Sequence, residues 1–398
     1  MTSSVYIAKN VYGGDGLGRL GDGRVVFVSG AWAGESVKAE IYEEKRHFVK
    51  ARLVEVEEAS PHRIDGGALA AVPGCVYAGL SVAGELAAKE AQLAEFFERA
   101  RLPLRIVRRP DADEPAANYR NKVVYHFEKR RSGWAIGYRR EPGHEITDME
   151  NDPLAAAEIN AKLPEIRRGV FTLLTTGPEA VRRDIGRKGS LTVRWTQKTG
   201  VKWWVGDAPE NLVLKETTAG RDFEVPAGGF YQVNPRICSK LATAVAEEYA
   251  RGAGDAPDVL DLYCGVGVLG LCCRPPKLVG VESGRQAVEF ARRNAAAQKA
   301  PDAKFFAGQV GRNLRRLSAG PRTTVVADPP RGGMESNVVK WLAESKAPRI
   351  LYVSCDPATL VRDLKTISGG YEVESASWFN MFPRTARFET LAVLRRKG

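Results

Sequence analysis

The chain has 398 residues, of which 44% are hydrophobic and 27% charged, a composition typical of a soluble globular protein with buried cores, and the length predicts two or three domains. The 59 Lys and Arg residues outnumber the 48 Asp and Glu residues, and the resulting charge of +11 favours a polyanionic partner such as nucleic acid without requiring one. The sequence argues against a membrane-spanning protein, because no apolar run is long enough to cross a bilayer.

The cysteine content bears on metal binding and on compartment. No two cysteines form a C-x-x-C pair, so zinc ribbons and iron–sulfur cradles have no local signature. Free thiols suit a reducing compartment, and the start "MTSSVYIAKN" has no basic-then-apolar leader. We therefore expect a cytoplasmic protein without a bound metal. The six cysteines are Cys75, Cys238, Cys264, Cys272, Cys273 and Cys355.

Residues 1–58 are the first predicted domain. Short alternating strands separated by glycine turns, as in "GRVVFVSGAWAGESVKAEIYEE", predict a small closed β-barrel, because closure leaves no open strand edge. Its cations suit either a solvated barrel face or contact with RNA, and the sequence leaves both readings open. These cations are Lys9, Arg19, Lys38, Lys45, Arg46, Lys50 and Arg52.

Residues 59–225 are predicted to form a central α+β domain. An amphipathic helix, "GELAAKEAQLAEFFERA", covers about 82–100 and is free to pack on the domain that follows. Strand candidates come after it: "NKVVYHFEK", "WAIGYRR", "SLTVRWTQ" and "VKWWVGD". Cations interleaved with Tyr119, Tyr138 and Trp195 suit a groove for single-stranded RNA, although most such aromatic rings simply pack a sheet. The cations are Arg120, Lys122, Arg139, Arg140, Arg167, Arg168, Arg182, Arg183, Arg187 and Lys188.

Residues 226–398 show a regular alternation of apolar strands and helices. The strand candidates "VLDLYC", "KLVGVE", "TTVVADPP" and "RILYVSCDP" predict a parallel sheet covered on both faces, which is an α/β fold of the Rossmann-like kind. The last two segments, "YEVESASWFNMF" and "ARFETLAVLRR", are too close for a parallel crossover. We therefore predict an antiparallel terminal hairpin, which a plain dinucleotide fold does not have.

The stretch "VLDLYCGVGVLGL" carries a literal G-x-G-x-x-G, made by Gly265, Gly267 and Gly270. Such a loop lets the backbone approach a ligand closely at a strand end. Glu282 follows 17 residues after Gly265, at the end of the next strand, where a carboxylate can accept the hydroxyls of an adenosine ribose. The pair predicts an adenosine cofactor and does not choose between a nicotinamide dinucleotide and S-adenosylmethionine.

Cys355 and Glu389 indicate the chemistry. Cys355 ends the strand in "LYVSCDPATLVRDL" just before a predicted helix, whose N-terminus is expected to lower the thiol pKa; the alternative is a buried, inert thiol. Beside a methyl-donor crevice, a thiolate can add to C6 of a pyrimidine and make C5 nucleophilic. That reaction needs a base for the C5 proton, and Glu389 is the candidate, although alone it could be an ion-pair partner.

In combination these segments resemble the S-adenosylmethionine-dependent RNA uracil-C5 methyltransferases, which make 5-methyluridine in ribosomal and transfer RNA. The matching pieces are "GGFYQVNP", "DLYCGVGVLGL", "VVADPPRGG", "YVSCDPATLVRDL" and "MFPRTARFETLAVL", in the family's order. "GGDGLGRLGDGRVVFVSGAWAGESV" is similar to the TRAM domain of many ribosomal-RNA members, and "NYRNKVVYHF" to the family's central RNA-binding region. The resemblance covers nearly the whole chain.

The resemblance implies a role for each motif residue. Cys355 would be the nucleophile and Glu389 the general base, acting on a uridine that is taken out of its stack. The residues implied in cofactor binding are Gln232, Tyr263, Gly265, Glu282 and Asp328. The implied substrate is RNA, with 23S ribosomal RNA favoured and transfer RNA open, and we expect a monomer.

Three departures from the family pattern stand out. Many members bind a four-cysteine iron–sulfur cluster after the barrel, but only Cys75 remains here, so we predict no cluster. Asn151 and Val268 replace a cysteine and a frequent asparagine, respectively. None of these touches the nucleophile or the base. Two other function classes stay open on the residues alone: a nicotinamide-dependent oxidoreductase, and a non-catalytic RNA-binding protein.

Overall fold

The computed structural model describes residues 2–131, 133–140, 145–177, 179 and 188–398. Within these ranges the strands form one closed barrel, a five-stranded sheet, a two-stranded hairpin and an eight-stranded sheet. No helix in the same ranges combines the length and apolar character that a bilayer crossing requires.

The N-terminal domain is the predicted barrel. Five strands close in the order β1-β2-β3-β5-β4, and the strand pair β1–β4 completes the ring. Alternate side chains point inward, and small branched residues such as Val26, Val37 and Val49 fill the interior. Gly18 has no room for a side chain, because an added Cβ would lie 2.5 Å from the Tyr6 carbonyl oxygen. The strands are β1 (Thr2–Asn10), β2 (Gly16–Arg19), β3 (Val25–Ser29), β4 (Ser36–Glu44) and β5 (Phe48–Glu58).

The five-stranded sheet lies in the predicted central domain, and every strand pair in it is antiparallel. Its order is β11-β10-β7-β8-β9, and α2 (Ala157–Thr176) packs Leu163 and Ile166 onto Tyr125 and Leu191 of the sheet. The strands are β7 (Lys122–Arg130), β8 (Gly133–Arg139), β9 (Ile146–Asp148), β10 (Lys188–Thr196) and β11 (Gly200–Val205).

Two of the residues predicted to line an RNA groove, one cation and one aromatic residue, have structural roles instead. Arg167 is buried and pairs with Asp148 at 2.9 Å, while it also donates to two backbone carbonyls. Tyr119 is buried and donates to the Pro383 carbonyl at 3.1 Å. These contacts bind parts of the protein to each other, so neither side chain is free for RNA. Arg182, Arg183, Arg187 and the Lys188 side chain lie outside the described residues.

The eight-stranded sheet confirms the predicted Rossmann-like architecture. The strand order is β16-β15-β14-β17-β18-β20-β19-β6. Strands β14 to β18 run parallel to one another. Strand β20 is antiparallel to both β18 and β19, as predicted for the terminal hairpin. The strands are β14 (Asp258–Leu262), β15 (Leu278–Glu282), β16 (Ala303–Ala307), β17 (Thr323–Ala327), β18 (Arg349–Ser354), β19 (Tyr371–Phe379) and β20 (Glu389–Arg396).

Helices cover both faces of this sheet. Successive strand residues belong to opposite cores: Val259 packs in one buried cluster and Leu260 in the other. Both faces are therefore apolar, as expected for strands between two helical layers. The helices are α3 (Pro235–Gly252), α4 (Val268–Cys273), α5 (Arg285–Ala297), α6 (Val310–Asn313), α7 (Ser336–Ala343) and α8 (Pro357–Ile367).

Parts of residues 59–225 pack against the large sheet. Helix α1 (Val82–Ala100) buries Leu93 and Phe97 in the same cluster as Leu260, and β6 (Ile106–Arg108) extends the sheet beside β19. The hairpin of β12 (Val213–Thr218) and β13 (Arg221–Pro226) contributes Phe223 to the core on the opposite face. The domain boundaries 1–58, 59–225 and 226–398 stay predictions. Helix α1, strand β6 and the β12–β13 hairpin belong to the predicted central domain in sequence, but they pack on the large sheet of the predicted third domain.

Candidate active site

A cleft of about 1330 Å³ opens at the carboxyl ends of the parallel strands, where ligands bind in sheets of this kind. Four neighbouring strands of the sheet contribute to it, together with the start of β20. All seven residues that the sequence singled out line this one cleft: Gln232, Tyr263, Gly265, Glu282, Asp328, Cys355 and Glu389.

The glycine loop forms the turn between β14 and α4. Gly265 and Gly267 have φ angles of +53° and +87°, a region that favours glycine. Tyr263 also has a positive φ, +62°, which is costly for an aromatic residue and concentrates at functional sites. Its hydroxyl donates to the carboxylate of Glu335, at the start of α7, so the strained residue is fixed by a side-chain contact.

Glu282 ends β15 and faces this loop. Its Oε2 accepts from the Gly265 amide at 3.2 Å, and its Oε1 accepts from the Gly284 amide at 2.7 Å and from the Ser283 hydroxyl at 2.9 Å. The carboxylate is therefore held at the strand end in a fixed orientation. This is the position from which an acid residue can accept the hydroxyls of a ribose, as the sequence predicted.

Asp261 is a site residue that the sequence reasoning missed. It lies in β14 with 1% of its surface exposed, and its Oδ2 accepts from the Gly270 amide at 3.0 Å, which ties the strand to α4. Its Oδ1 is buried and has no hydrogen-bond partner among the described residues. Burial raises the pKa of this carboxyl to about 8, assisted by the negative charges of Asp328 and Glu282. A charged residue inside the apolar run "VLDL" was the available signal.

The charge of the cleft fits a cationic ligand. Five carboxyl groups line it, against three arginines: the carboxyl groups belong to Asp261, Glu282, Asp328, Glu335 and Glu389, and the arginines are Arg120, Arg331 and Arg387. Two of the carboxyl oxygens, Asp261 Oδ1 and Glu389 Oε2, are buried without a hydrogen-bond partner in the described part of the chain. A ligand with a positive charge would balance the carboxyl groups, and its N–H or O–H donors could hydrogen-bond to the two unpartnered oxygens. S-adenosylmethionine, with its sulfonium, ammonium and ribose hydroxyls, has this chemistry.

Cys355 lies between β18 and α8, and it is the one cysteine of the six that is not buried. Asp356 follows it as the helix cap: Asp356 Oδ1 accepts from the amides of Ala358 at 3.0 Å and Thr359 at 3.2 Å. The thiol is therefore presented at the end of a rigid strand, against the capped first turn of a helix.

The predicted lowering of the Cys355 pKa is wrong for the protein without ligands. Partial burial, together with the negative charges of Glu389, Asp328 and Asp356, raises the pKa of this thiol to about 12. The helix starts two residues later, and its first amides already bind the Asp356 carboxylate, whose charge opposes that of the helix N-terminus. A cation bound nearby would favour the thiolate.

Glu389 begins β20 with only 2% of its surface exposed. Burial and the nearby Asp328 raise the pKa of its carboxyl well above the usual range, and a contact from the Gln232 side chain acts in the opposite direction. Burial likewise raises the pKa of Asp328 to about 7. Gln232 was predicted as a cofactor contact, and the structure places its amide beside the candidate base.

Further cleft residues had no sequence prediction attached. Phe230 is 75% exposed at the cleft, which is unusual for a large apolar side chain and suits stacking on an unpaired base. Arg387 lines the cleft two residues before Glu389. The three described histidines, His47, His62 and His126, do not line it, and His144 lies outside the described residues. A cysteine–histidine pair is therefore not available from the described histidines.

Comparison with known proteins identifies the family. The family described as "tRNA (Uracil-5-)-methyltransferase" matches residues 210–397, and "TRAM domain" matches residues 5–54. A protein of Gloeobacter violaceus named as an uncharacterized RNA methyltransferase is 30% identical, over 99% of this chain and 96% of its own length. The chain belongs to this methyltransferase family. A similarly named protein of Thermotoga maritima is 29% identical over 99% of both chains.

Family membership confirms the resemblance that the motifs indicated, the enzyme class and the use of S-adenosylmethionine. The fold is also confirmed by a solved structure, the Pyrococcus abyssi tRNA (uracil-54, C5)-methyltransferase in complex with S-adenosyl-L-homocysteine. The match covers 98% of this chain and 100% of the Pyrococcus abyssi chain, with a TM-score of 0.73 and 22% sequence identity. The N-terminal barrel is a TRAM domain, as predicted.

Proposed function

We propose that this methyltransferase converts a uridine in RNA to 5-methyluridine, with Cys355 as the nucleophile and Glu389 as the general base. The observation that carries the proposal is that both side chains share one cleft with the glycine loop and Glu282. A thiol, a proton acceptor and a place for the methyl donor are thereby brought together, although they come from distant parts of the sequence.

The steps follow from these groups. The Cys355 thiolate adds to C6 of the flipped uracil, and the electrons of the C5–C6 double bond move to C5 and the C4 oxygen. When bound, S-adenosylmethionine supplies an electrophilic methyl group, which C5 accepts. Glu389 then removes the C5 proton, the C5–C6 double bond re-forms, and the thiolate leaves. The chain thus supplies the nucleophile and the base, and both return to their starting states after the Glu389 proton is released.

Burial and charge explain how the groups become active. With the cleft empty, the raised pKa values keep Glu389 largely protonated, Asp328 partly protonated and Cys355 a thiol at neutral pH. A cation in the cleft favours the ionised forms of all three. The base therefore gains its charge, and the thiol its reactivity, only in the loaded enzyme.

The proposed cofactor contacts are Gln232, Tyr263, Gly265, Glu282 and Asp328. Glu282 is placed to accept ribose hydroxyls, and Gly265 and Tyr263 shape the loop beside it. Gln232 contacts Glu389, so its amide lies beside the proposed base. Phe230, exposed at the same cleft, offers a ring on which a nucleobase can stack.

Ribosomal RNA of the 23S type is the proposed target, because TRAM domains accompany many ribosomal-RNA members of the family. Transfer RNA is the second candidate, since the Pyrococcus abyssi protein, whose title names transfer RNA, shares the fold along 98% of this chain. Nucleoside analysis of both RNA classes from cells lacking this protein separates the two: the modified nucleoside disappears from one class only. We place the enzyme in the cytoplasm, because its free thiols suit a reducing compartment, and we propose a monomer, because one chain supplies every named side chain of the cleft.

Transfer of a labelled methyl group to unmodified RNA tests the chemistry. Cys355→Ala should abolish transfer while binding of S-adenosylmethionine survives, and Cys75→Ala, in the central core, is the matched control that keeps activity. Glu389→Gln should form the covalent RNA adduct and fail to release it, which gives a slow band on a denaturing gel. Full activity of Cys355→Ala would remove the nucleophile, and no adduct with Glu389→Gln would remove the base.

A further inference from the structure

The TRAM domain reaches the proposed catalytic cysteine through Tyr12. This residue lies between β1 and β2 of the barrel, and its hydroxyl donates to Asp356 Oδ2 at 3.3 Å. Asp356 directly follows Cys355 in the chain. The next barrel residue, Gly13, lines the cleft itself. A loop of the N-terminal domain is therefore part of the wall around the thiol.

Arg387 completes the contact. Its Nη1 donates to the Tyr12 hydroxyl at 3.1 Å and to Asp356 Oδ2 at 3.3 Å, and the guanidinium lies 5.8 Å from the centre of the Tyr12 ring. Arg387 also stands two residues before Glu389 in the segment that leads into β20. One hydroxyl thus touches both the residue after the nucleophile and the segment before the base.

Asp356 divides its two oxygens between two tasks. Oδ1 caps α8, whereas Oδ2 accepts from Tyr12 and Arg387. The side chain can hold both sets of bonds only in one orientation, and that orientation sets the backbone next to Cys355. The tie to Tyr12 therefore restricts where the thiol points.

We propose that Tyr12 is a positioning residue of the methyltransferase: with the barrel docked, its hydroxyl fixes Asp356 and Arg387, and thereby the attack geometry of Cys355. The inference rests on the proposed function, since it concerns the adduct that Cys355 forms. It assigns the TRAM domain a part in the chemical step, in addition to any contact with RNA. Small errors in the position of a nucleophile cost large factors in rate.

The ring and the hydroxyl of Tyr12 can be separated experimentally. The ring packs edge-on against Phe96 of α1 at 5.6 Å and Phe388 at 6.2 Å between centroids. Tyr12→Phe keeps these contacts and removes only the hydroxyl. Tyr6→Phe, on β1 of the same barrel with 61% of its surface exposed, is the matched control.

The experiment measures covalent adduct formation with RNA that contains 5-fluorouridine, from which no C5 proton can be removed. Loss of two hydrogen bonds predicts a rate of adduct formation about tenfold lower in Tyr12→Phe. Tyr6→Phe should react like the unaltered enzyme. The dissociation constant for S-adenosylmethionine should stay unchanged in both variants. The thermal midpoint should be unchanged in Tyr6→Phe and should fall by no more than a few degrees in Tyr12→Phe, because the ring packing is retained.

Asp356→Asn provides a second, independent measurement. Its amide oxygen can still cap α8, but the NH2 group that replaces Oδ2 cannot accept from Arg387 or from the Tyr12 hydroxyl. If Tyr12 acts through Asp356, the double variant should be no slower than the slower single variant. A Tyr12→Phe rate equal to that of the unaltered enzyme, or two effects that multiply, would overturn the inference. Adduct formation by the unaltered enzyme, and its absence in Cys355→Ala, tests the proposed function separately.

Discussion

Lys89 offers the sharpest test of how the segment before Glu389, the proposed base, is held. Lys89 and Glu85, both on α1, are fully buried and form an ion pair at 2.8 Å. Lys89 Nζ also donates to Asn380 Oδ1 at 2.7 Å, and Glu85 accepts from the backbone amide of Arg384 at 3.0 Å. Residues 380–388, which connect β19 to Glu389, are thus anchored on a buried charge pair that comes from another part of the chain.

Replacing Lys89 with Met keeps the apolar stem and removes the ammonium group. Glu85 is then left as a buried carboxylate without its close cation, and removing one partner of a buried pair costs about 3–5 kcal/mol. Asn380 and the Arg384 amide still donate to Glu85, so we expect the lower end, about 3 kcal/mol. For a large domain this corresponds to a fall of about 6–12 °C in the thermal midpoint.

Thermal unfolding and adduct formation should be measured on the same protein. Lys162→Met is the matched control, because its ion pair with Glu165 on α2 is exposed and is expected to contribute less than about 1 kcal/mol. Adding Glu85→Gln to Lys89→Met should recover part of the lost stability, since the unpaired charge is removed. A midpoint for Lys89→Met within 2 °C of the control (about 1 kcal/mol) would refute the anchoring argument.

Three further predictions concern the cleft. Because its pKa lies near 12, alkylation of Cys355 by iodoacetamide should rise with pH up to at least pH 9. Peptide mass spectrometry measures the rate, and a plateau below pH 8 would contradict the raised pKa. Asp261 has a pKa of about 8 in the folded protein, so its stabilising contribution is complete below the ordinary carboxyl pKa and is lost as pH rises through about 8. Asp261→Asn should therefore make the urea midpoint fall less between pH 5 and 8.5. Equal falls in the variant and the unaltered protein would contradict this. Gly267→Ala should weaken S-adenosylmethionine binding in calorimetry, because φ of residue 267 is +87° and the new Cβ would lie 3.1 Å from Leu271 Cδ1. Unchanged binding would show that the glycine loop tolerates this backbone strain.

The sequence predicted the large sheet and the direction of its strands because both depend on local pattern. Apolar β-rich runs alternate with helices, and the polar residues Glu282, Asp328 and Cys355 stand just past strand ends. Since parallel strands share one carboxyl edge, these residues had to converge. β6 was not predicted, because its three residues, Ile106–Arg108, carry no periodicity.

Electrostatic effects and contacts between residues that are distant in the sequence could not be predicted from local sequence pattern. The pKa of Cys355 depends on carboxylates supplied by Asp328 and Glu389, so a rule based on the adjacent helix alone gave the wrong direction. Tyr12 and Asp356 are 344 positions apart, and no spacing connects them. Arg167 looked like an RNA-binding cation until the fold placed Asp148 beside it. In each case the role of the side chain depends on the residues that the fold places beside it, and the sequence alone does not show which residues these are.

The electrostatics of the cleft also imply an order of events. Asp261, Asp328 and Glu389 have raised pKa values because their charges are buried near one another, and the same charges raise the pKa of Cys355. A bound cation lowers all four values at once. On the proposed roles, the molecule that brings the methyl group also prepares Glu389 and Cys355 for reaction. Adduct formation should therefore be faster with the cationic donor bound than with its neutral-sulfur product. A thiol that stays protonated until then is protected from oxidation and from premature attack on RNA.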